Sequence, residues 1–163
     1  MRKTIALLSV LVAGLVVPAL AGAGAEQSVE SWTNEPTNWF GPDPCTGKTI
    51  TGQGTESGTA SIVDTPNGGS HVRLDAHGTV DLYEANGPGP WDPQPGAFVG
   101  TWTYDARTSD QAPPDGAGAT TGVTSGPLVF PDGSSARRQL VFHLTWSANG
   151  PPKLFFVKFV CSA

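Results

Sequence analysis

Apolar and polar residues alternate at every second position through most of the chain beyond Gln27, and no segment there keeps apolar residues at helical spacing. The alternation is clearest over residues 138–146, where one face would carry Leu140, Phe142, Leu144 and Trp146. A Gly- and Pro-rich turn follows at 148–152, and residues 153–161 then alternate in the same way. Because successive side chains of a strand point to opposite faces, this stretch predicts a C-terminal β-hairpin near the centre of a sheet.

Shorter and more polar strands are predicted upstream, at residues 48–54, 59–64, 71–77, 79–85 and 97–106, with a further short strand at 128–130. Two Gly- and Pro-rich segments, 86–96 and 110–122, are predicted to be exposed loops, because proline removes the backbone N–H that a sheet ladder needs. About seven to eight short strands separated by turns predict an all-β domain, built as a single antiparallel β-barrel or a sandwich.

The first 25 residues have the organisation of an export signal. Arg2 and Lys3 supply positive charge, an apolar run ends at Pro18, and small residues lead to an Ala-x-Ala site that ends at Ala25. The apolar run is short for a membrane span, and the C-terminus shows no hydrophobic tail for surface attachment. The sequence therefore predicts a signal peptide at 1–25, an N-terminal extended segment at 26–44 and a β domain at 45–163, secreted and without a membrane anchor.

The chain is acidic: its 163 residues carry 9 Lys and Arg against 14 Asp and Glu, a net charge of −5. Loss of Arg2 and Lys3 with the signal would make the balance more negative. Nucleic acids and anionic membrane surfaces attract basic patches, so neither is predicted as a partner. The length suits one domain, and the sequence leaves the oligomeric state open.

Cys45 and Cys161 are the two cysteines of the chain, and they stand near the two ends of the predicted β domain. In an oxidising compartment, an isolated pair is typical of one structural disulfide. Neither cysteine has a neighbouring histidine that would activate a thiolate. We therefore predict a Cys45–Cys161 disulfide that joins the first strand region to the last and closes the domain.

Several short motifs are similar to those of a group of exported, uncharacterised β-rich proteins common in high-GC Gram-positive bacteria. The motifs are DPCTG at 43–47 with a Thr- and Gly-rich strand after it, the turn DTPNGG at 64–69 followed by His71, and a last strand that ends at Cys161. The resemblance implies an all-β fold and the same cysteine pairing. It implies no catalytic activity.

Asp75, His77 and His143 are the candidate residues for a polar site. Asp75 and His77 alternate on one predicted strand, and His143 could complete a hydrogen-bonded dyad from another, which would suit a small secreted hydrolase or isomerase. A solvated polar strand face is the alternative explanation. His71 and His77 would stand roughly 20 Å apart along a straight strand, so they cannot share a metal ion. No metal site and no cofactor motif is predicted.

Aromatic residues suggest a different function. Trp102 and Trp146 lie in alternating strands and are predicted to be core, whereas Trp91 lies in a Pro-rich loop. Trp91, Trp102 and Tyr104 are the candidate contacts for an apolar or saccharide-like ligand in the mouth of the β domain. The favoured hypothesis is thus a non-enzymatic protein that binds such a ligand or associates with the cell envelope. A structural or protein-interaction module, with an unpaired sheet edge or an apolar patch, is a further alternative.

Overall fold

Seven β-strands make up the computed structural model, which describes residues 25–87, 94–147 and 153–162. The strands are β1 (Glu26–Pro42), β2 (Thr49–Asp64), β3 (Ser70–Ala85), β4 (Pro95–Ala112), β5 (Gly118–Val129), β6 (Ser135–Trp146) and β7 (Lys153–Ser162). Each strand pairs antiparallel with the next one along the chain, so β1 and β7 are the two edges of one sheet. The predicted antiparallel all-β fold is confirmed, and the predicted signal at 1–25 lies outside the described residues apart from Ala25.

The strands are longer than the sequence pattern predicts. The segments 48–54 and 59–64 belong to one strand, β2, and 71–77 and 79–85 belong to β3. Gly58 and Gly78, which interrupt the alternation in the sequence, lie within these strands, and an aromatic side chain of a neighbouring strand covers each of them. A glycine is required where another group approaches the backbone this closely.

Two segments without a predicted strand also contain strands. The predicted N-terminal extended segment 26–44 contains the whole of edge strand β1, and the predicted loop 110–122 contains the end of β4 and the start of β5, with a turn at 113–117. A β-bulge between Trp32 and Glu35, with Asn34 at φ 54°, adds one residue to β1. The bulge brings Trp32 and Trp39 to the same face of the sheet although their positions differ by seven, an odd number.

One face of the sheet is concave and holds the core. Its buried apolar side chains are Ile50, Val80, Leu82, Val99, Trp102, Tyr104 and Leu128. All of them lie near the end of the sheet where β1, β3, β5 and β7 finish, which we call the disulfide end; the opposite end is the far end. The other face, which we call convex, carries the side chains of the alternate positions along each strand.

A disulfide between Cys45 and Cys161 ties the β1–β2 turn to β7, as predicted, across a sequence separation of 116 residues. It brings the two edges of the sheet together at the disulfide end. Within the described residues no backbone ladder joins β1 to β7, so the sheet is curled but not closed into a barrel.

A buried ion pair supports the same junction. Arg138 stands directly opposite Cys161 in the β6–β7 ladder, and its Nε lies 3.2 Å from Oδ1 of Asp43 in the β1–β2 turn. Its guanidinium is stacked against two indole rings, 4.9 Å from the centroid of Trp39 and 4.3 Å from that of Trp102. Burial lowers the pKa of Arg138 to about 10, although Asp43 acts to raise it, so the guanidinium stays charged at neutral pH. The side chain of Arg138 therefore contacts β1, β4 and the β1–β2 turn.

Candidate functional site

The three residues of the predicted polar site do not converge. Asp75 and His77 both lie on the convex face of β3, but His143 lies on β6 and is level with Arg73 across the intervening strands. With about 4.8 Å between strands and 3.3 Å per residue, His143 is on the order of 19 Å from His77 along the sheet. Nδ1 of His143 instead lies 2.7 Å from the hydroxyl of Thr121. His143 is therefore too far from Asp75 and His77 for the hydrogen bonds that acid–base catalysis by the three residues requires.

Asp75 is held by two arginines. Nε of Arg73 donates a 2.8 Å hydrogen bond to its Oδ2, and Nε of Arg107 lies 3.4 Å from its Oδ1. The hydrogen bond from Arg73 lowers the pKa of Asp75, and the charges of both arginines act in the same direction. A carboxylate with a lowered pKa is a weaker base, so this pairing suits a surface ion-pair network better than proton abstraction.

Asp75 and His77 do share a shallow groove of about 600 Å³ on the convex face, which crosses β1 to β4. Asp75 and Arg107 face each other on one side of the groove, and His77 and Asp105 face each other on the other. Sequence analysis did not identify Asp105 and Arg107, because their positions opposite Asp75 and His77 depend on the β3–β4 register. Among the described residues, no group of three or more His, Cys, Asp or Glu side chains is placed to hold a metal ion.

Two of the predicted ligand contacts are core residues. Trp102 is fully buried, and its Nε1 donates to the carbonyl oxygen of Gly126 at 3.3 Å. The hydroxyl of Tyr104 donates a 2.8 Å hydrogen bond to Oε2 of Glu56. The two rings pack on each other with centroids 4.7 Å apart. The third predicted contact, Trp91, lies outside the described residues.

The far end of the concave face has the most suitable surface for a ligand. The core side chains at the disulfide end are buried, but the apolar side chains that continue the same face toward the far end are only half-buried. They are Ile62, Val72 and Leu74 on β2 and β3, and Phe142, Leu144 and Trp146 on β6. The described residues therefore leave a partly open apolar surface next to a closed core.

Three aromatic rings on this surface lie over glycines of the adjacent strand. The ring of Trp32 covers Gly58, that of Phe142 covers Gly122 and that of Trp146 covers Gly118. A β-carbon at any of these glycines would collide with the ring above it. Each ring therefore packs against bare backbone on the concave side of the sheet, and the three side chains are half-buried. The alternation in 138–146 predicts that Phe142 and Trp146 share a face, but the positions of Trp32 and the paired glycines depend on the bulge and the register.

No known protein family, curated protein or solved structure matches the chain. The resemblance to exported β-rich bacterial proteins therefore stays a prediction. The part of the chain that the structure describes contains no helix of the length and apolarity that crossing a membrane requires.

Proposed function

We propose that this protein is a non-enzymatic binding protein whose ligand is a small apolar molecule held on the far end of the concave face. The observation that carries the proposal is the difference in burial along one sheet face. Trp102 and Leu128 are fully buried at the disulfide end, whereas Phe142 and Trp146 on the same face are half-buried at the far end. Half-exposed aliphatic and aromatic side chains on a concave surface are typical of ligand sites.

The surface favours an apolar molecule over an extended protein partner. A partner strand would pair with an edge, but edge strand β1 carries a bulge and Pro36, and edge strand β7 carries the exposed Lys158. These features discourage strand addition at sheet edges. The aliphatic residues of β2 and β3 also favour an apolar body over a sugar, since saccharide sites combine aromatic rings with many hydrogen-bonding groups.

Export belongs to the same proposal, because it supplies the oxidising compartment in which a disulfide persists. We expect protein recovered from the culture medium of a bacterial host to begin at Glu26. Mass spectrometry of the intact protein measures this directly, and a mass that retains the residues before Glu26 would contradict it.

Fluorescence titration with N-phenyl-1-naphthylamine, an uncharged apolar dye, tests the binding site. We expect saturable binding that Trp146→Ala weakens about tenfold, because truncation of a buried aromatic contact removes roughly 1–2 kcal/mol of apolar contact. Phe156→Ala is the matched control: Phe156 is an aromatic residue, 48% exposed, and pairs with His143 on the convex face. Equal losses in the two variants, or no saturable binding by the unaltered protein, would refute the site.

A further inference from the structure

We propose that the ligand of this surface is a cation with an apolar body, such as an alkyl or aryl ammonium compound. The inference rests on the proposed binding function and adds the charge of the ligand to it. It comes from the distribution of charged side chains between the two faces, which the pairing register assigns.

Basic and acidic residues are divided unequally between the faces. The basic side chains that the structure describes on the strands lie on the convex face, with Arg138 as the exception; those on the convex face are His71, Arg73, His77, Arg107, Arg137, His143 and Lys158. Arg138 is fully buried at the disulfide end and paired with Asp43. Within the described residues, the far end of the concave face therefore has no basic side chain.

Carboxylates occur on that same concave face. Glu30 pairs with Ala60, Glu35 pairs with Glu56, and Asp110 pairs with Val72, so all four acidic side chains lie on the face that carries the apolar surface. Glu30 shares its row of the sheet with Leu74 and Phe142. An apolar surface bordered by negative charge and free of positive charge is complementary to an apolar cation.

Protection of a sheet edge does not account for these charges. Charged residues commonly protect edge strands, and that explanation covers Glu30 and Glu35 on β1. It does not cover Glu56 and Asp110, which lie on the interior strands β2 and β4. Glu56 accepts the hydrogen bond of Tyr104, so a protein group satisfies one of its oxygens.

Asp110 brings negative charge into the apolar surface itself. It lies opposite Val72 in the β3–β4 ladder and opposite Thr120, the ladder partner of Leu144, and it is half-buried. A carboxylate beside apolar side chains attracts a cationic group through its charge, without a hydrogen bond from the ligand. The rings of Trp32 and Trp146 add to the attraction, because the face of an indole is an electron-rich surface that favours ammonium groups.

Isothermal titration calorimetry with three ligands of equal chain length tests the inference: decyltrimethylammonium, decanol and decanoate, each below its micellar concentration. We expect decyltrimethylammonium to bind at least tenfold more tightly than decanoate, with decanol between them. Added salt should weaken binding of the cation and leave that of decanol unchanged, because screening acts on charge alone.

Substitutions locate the charge that is responsible. Asp110→Asn and Glu30→Gln should each weaken binding of decyltrimethylammonium several-fold and leave the affinity for decanol unchanged. Unchanged decanol binding also shows that the variants fold. Asp105→Asn removes a carboxylate from the convex face and should change neither affinity.

The outcomes separate the two proposals. If none of the three ligands binds, the proposed binding function fails. If decanol binds but the cation has no advantage over decanoate, or if Asp110→Asn weakens decanol and the cation equally, the binding function stands and the inference about charge is overturned.

Discussion

Three interactions meet at the buried side chain of Arg138. It pairs with Asp43, stacks between Trp39 and Trp102, and stands opposite the half-cystine Cys161. A buried ion pair need not stabilise a fold relative to apolar residues, but the loss of one partner leaves the other as an uncompensated charge. Arg138 is thus a position where a single substitution has a large effect.

We expect Arg138→Ala to lower the free energy of unfolding by about 3–5 kcal/mol, because Asp43 would keep a buried charge without its partner. Denaturant unfolding followed by tryptophan fluorescence measures the change. Arg137→Ala is the control, since Arg137 is the exposed neighbour on the opposite face and surface substitutions usually change stability by no more than about 0.5 kcal/mol. Similar effects of the two substitutions would contradict the importance of the buried pair.

Tyr104 should respond to alkaline pH in a defined direction. Burial raises the pKa of Tyr104, and its hydrogen bond to Glu56 raises it further. In the unfolded chain a tyrosine ionises near pH 10. The protonated hydroxyl therefore makes its full contribution to the free energy of unfolding below about pH 10. This contribution is lost as the pH rises above that value, because the unfolded state gives up its proton first.

Absorbance at 295 nm, which reports tyrosinate, tests this expectation. One of the two tyrosines should ionise only when the protein unfolds, and Tyr104→Phe should remove that late step. Should the late step persist in Tyr104→Phe, the shielded hydroxyl would belong to another residue.

At the scale of strands, alternation is a reliable guide only where nothing interrupts it. The predicted strands 138–146 and 153–161 correspond closely to β6 (Ser135–Trp146) and β7 (Lys153–Ser162). In β2 and β3, glycines resemble interruptions in the sequence, but in the sheet they make room for side chains of the neighbouring strands. Sequence alone cannot distinguish these cases, because the residue that covers each glycine comes from a distant part of the chain.

Gly54 shows how closely the strands approach one another. A β-carbon at this position would meet the backbone of Thr79 and Val80, whereas one at Gly41 would meet nothing within 4 Å. We expect Gly54→Ala to destabilise the protein by about 1–3 kcal/mol or more, since backbone cannot move aside as a side-chain tip can.

Thermal and denaturant unfolding of Gly54→Ala and Gly41→Ala provide the comparison. Gly41→Ala should change stability little, because it adds a methyl group in open space and both glycines lie in strands at negative φ. A larger loss in Gly41→Ala than in Gly54→Ala would contradict the close approach of β2 and β3.

At the scale of the whole molecule, the disulfide joins residues that are 116 positions apart. In the chain-entropy model, closing a loop of 116 residues stabilises the folded state by about 4–5 kcal/mol. We expect the double variant Cys45→Ser/Cys161→Ser to lose a similar amount of stability, measured by denaturant unfolding. Equal stability of the variant and the unaltered protein would show that the other contacts hold the two edges together without it.

The candidate site shows which information the sequence lacks at this scale. Alternation predicts that Phe142 and Trp146 share a face with Leu140, but Leu140 is buried and the other two are half-buried. The difference depends on how the sheet curls, and the curl depends on contacts between residues more than 100 positions apart, such as Cys45 and Cys161. Asp75 and His143 are a second case. Their residue types suggest a catalytic pair, but the strand register places them far apart.

An odd number of strands in a simple meander makes β1 and β7 run in the same direction. Six joints of the sheet are antiparallel ladders of hydrogen bonds. Among the residues that the structure describes, the Cys45–Cys161 disulfide ties the β1–β2 turn to β7 at one end, next to the ion pair that links the same turn to Arg138 on β6. Reducing agents break the disulfide, and the six ladders contain no bond that such agents attack. The covalent part of the junction is therefore the part that responds to the redox state of the surroundings, while the Asp43–Arg138 pair and the stacking of Arg138 on Trp39 and Trp102 hold the same end by non-covalent contacts.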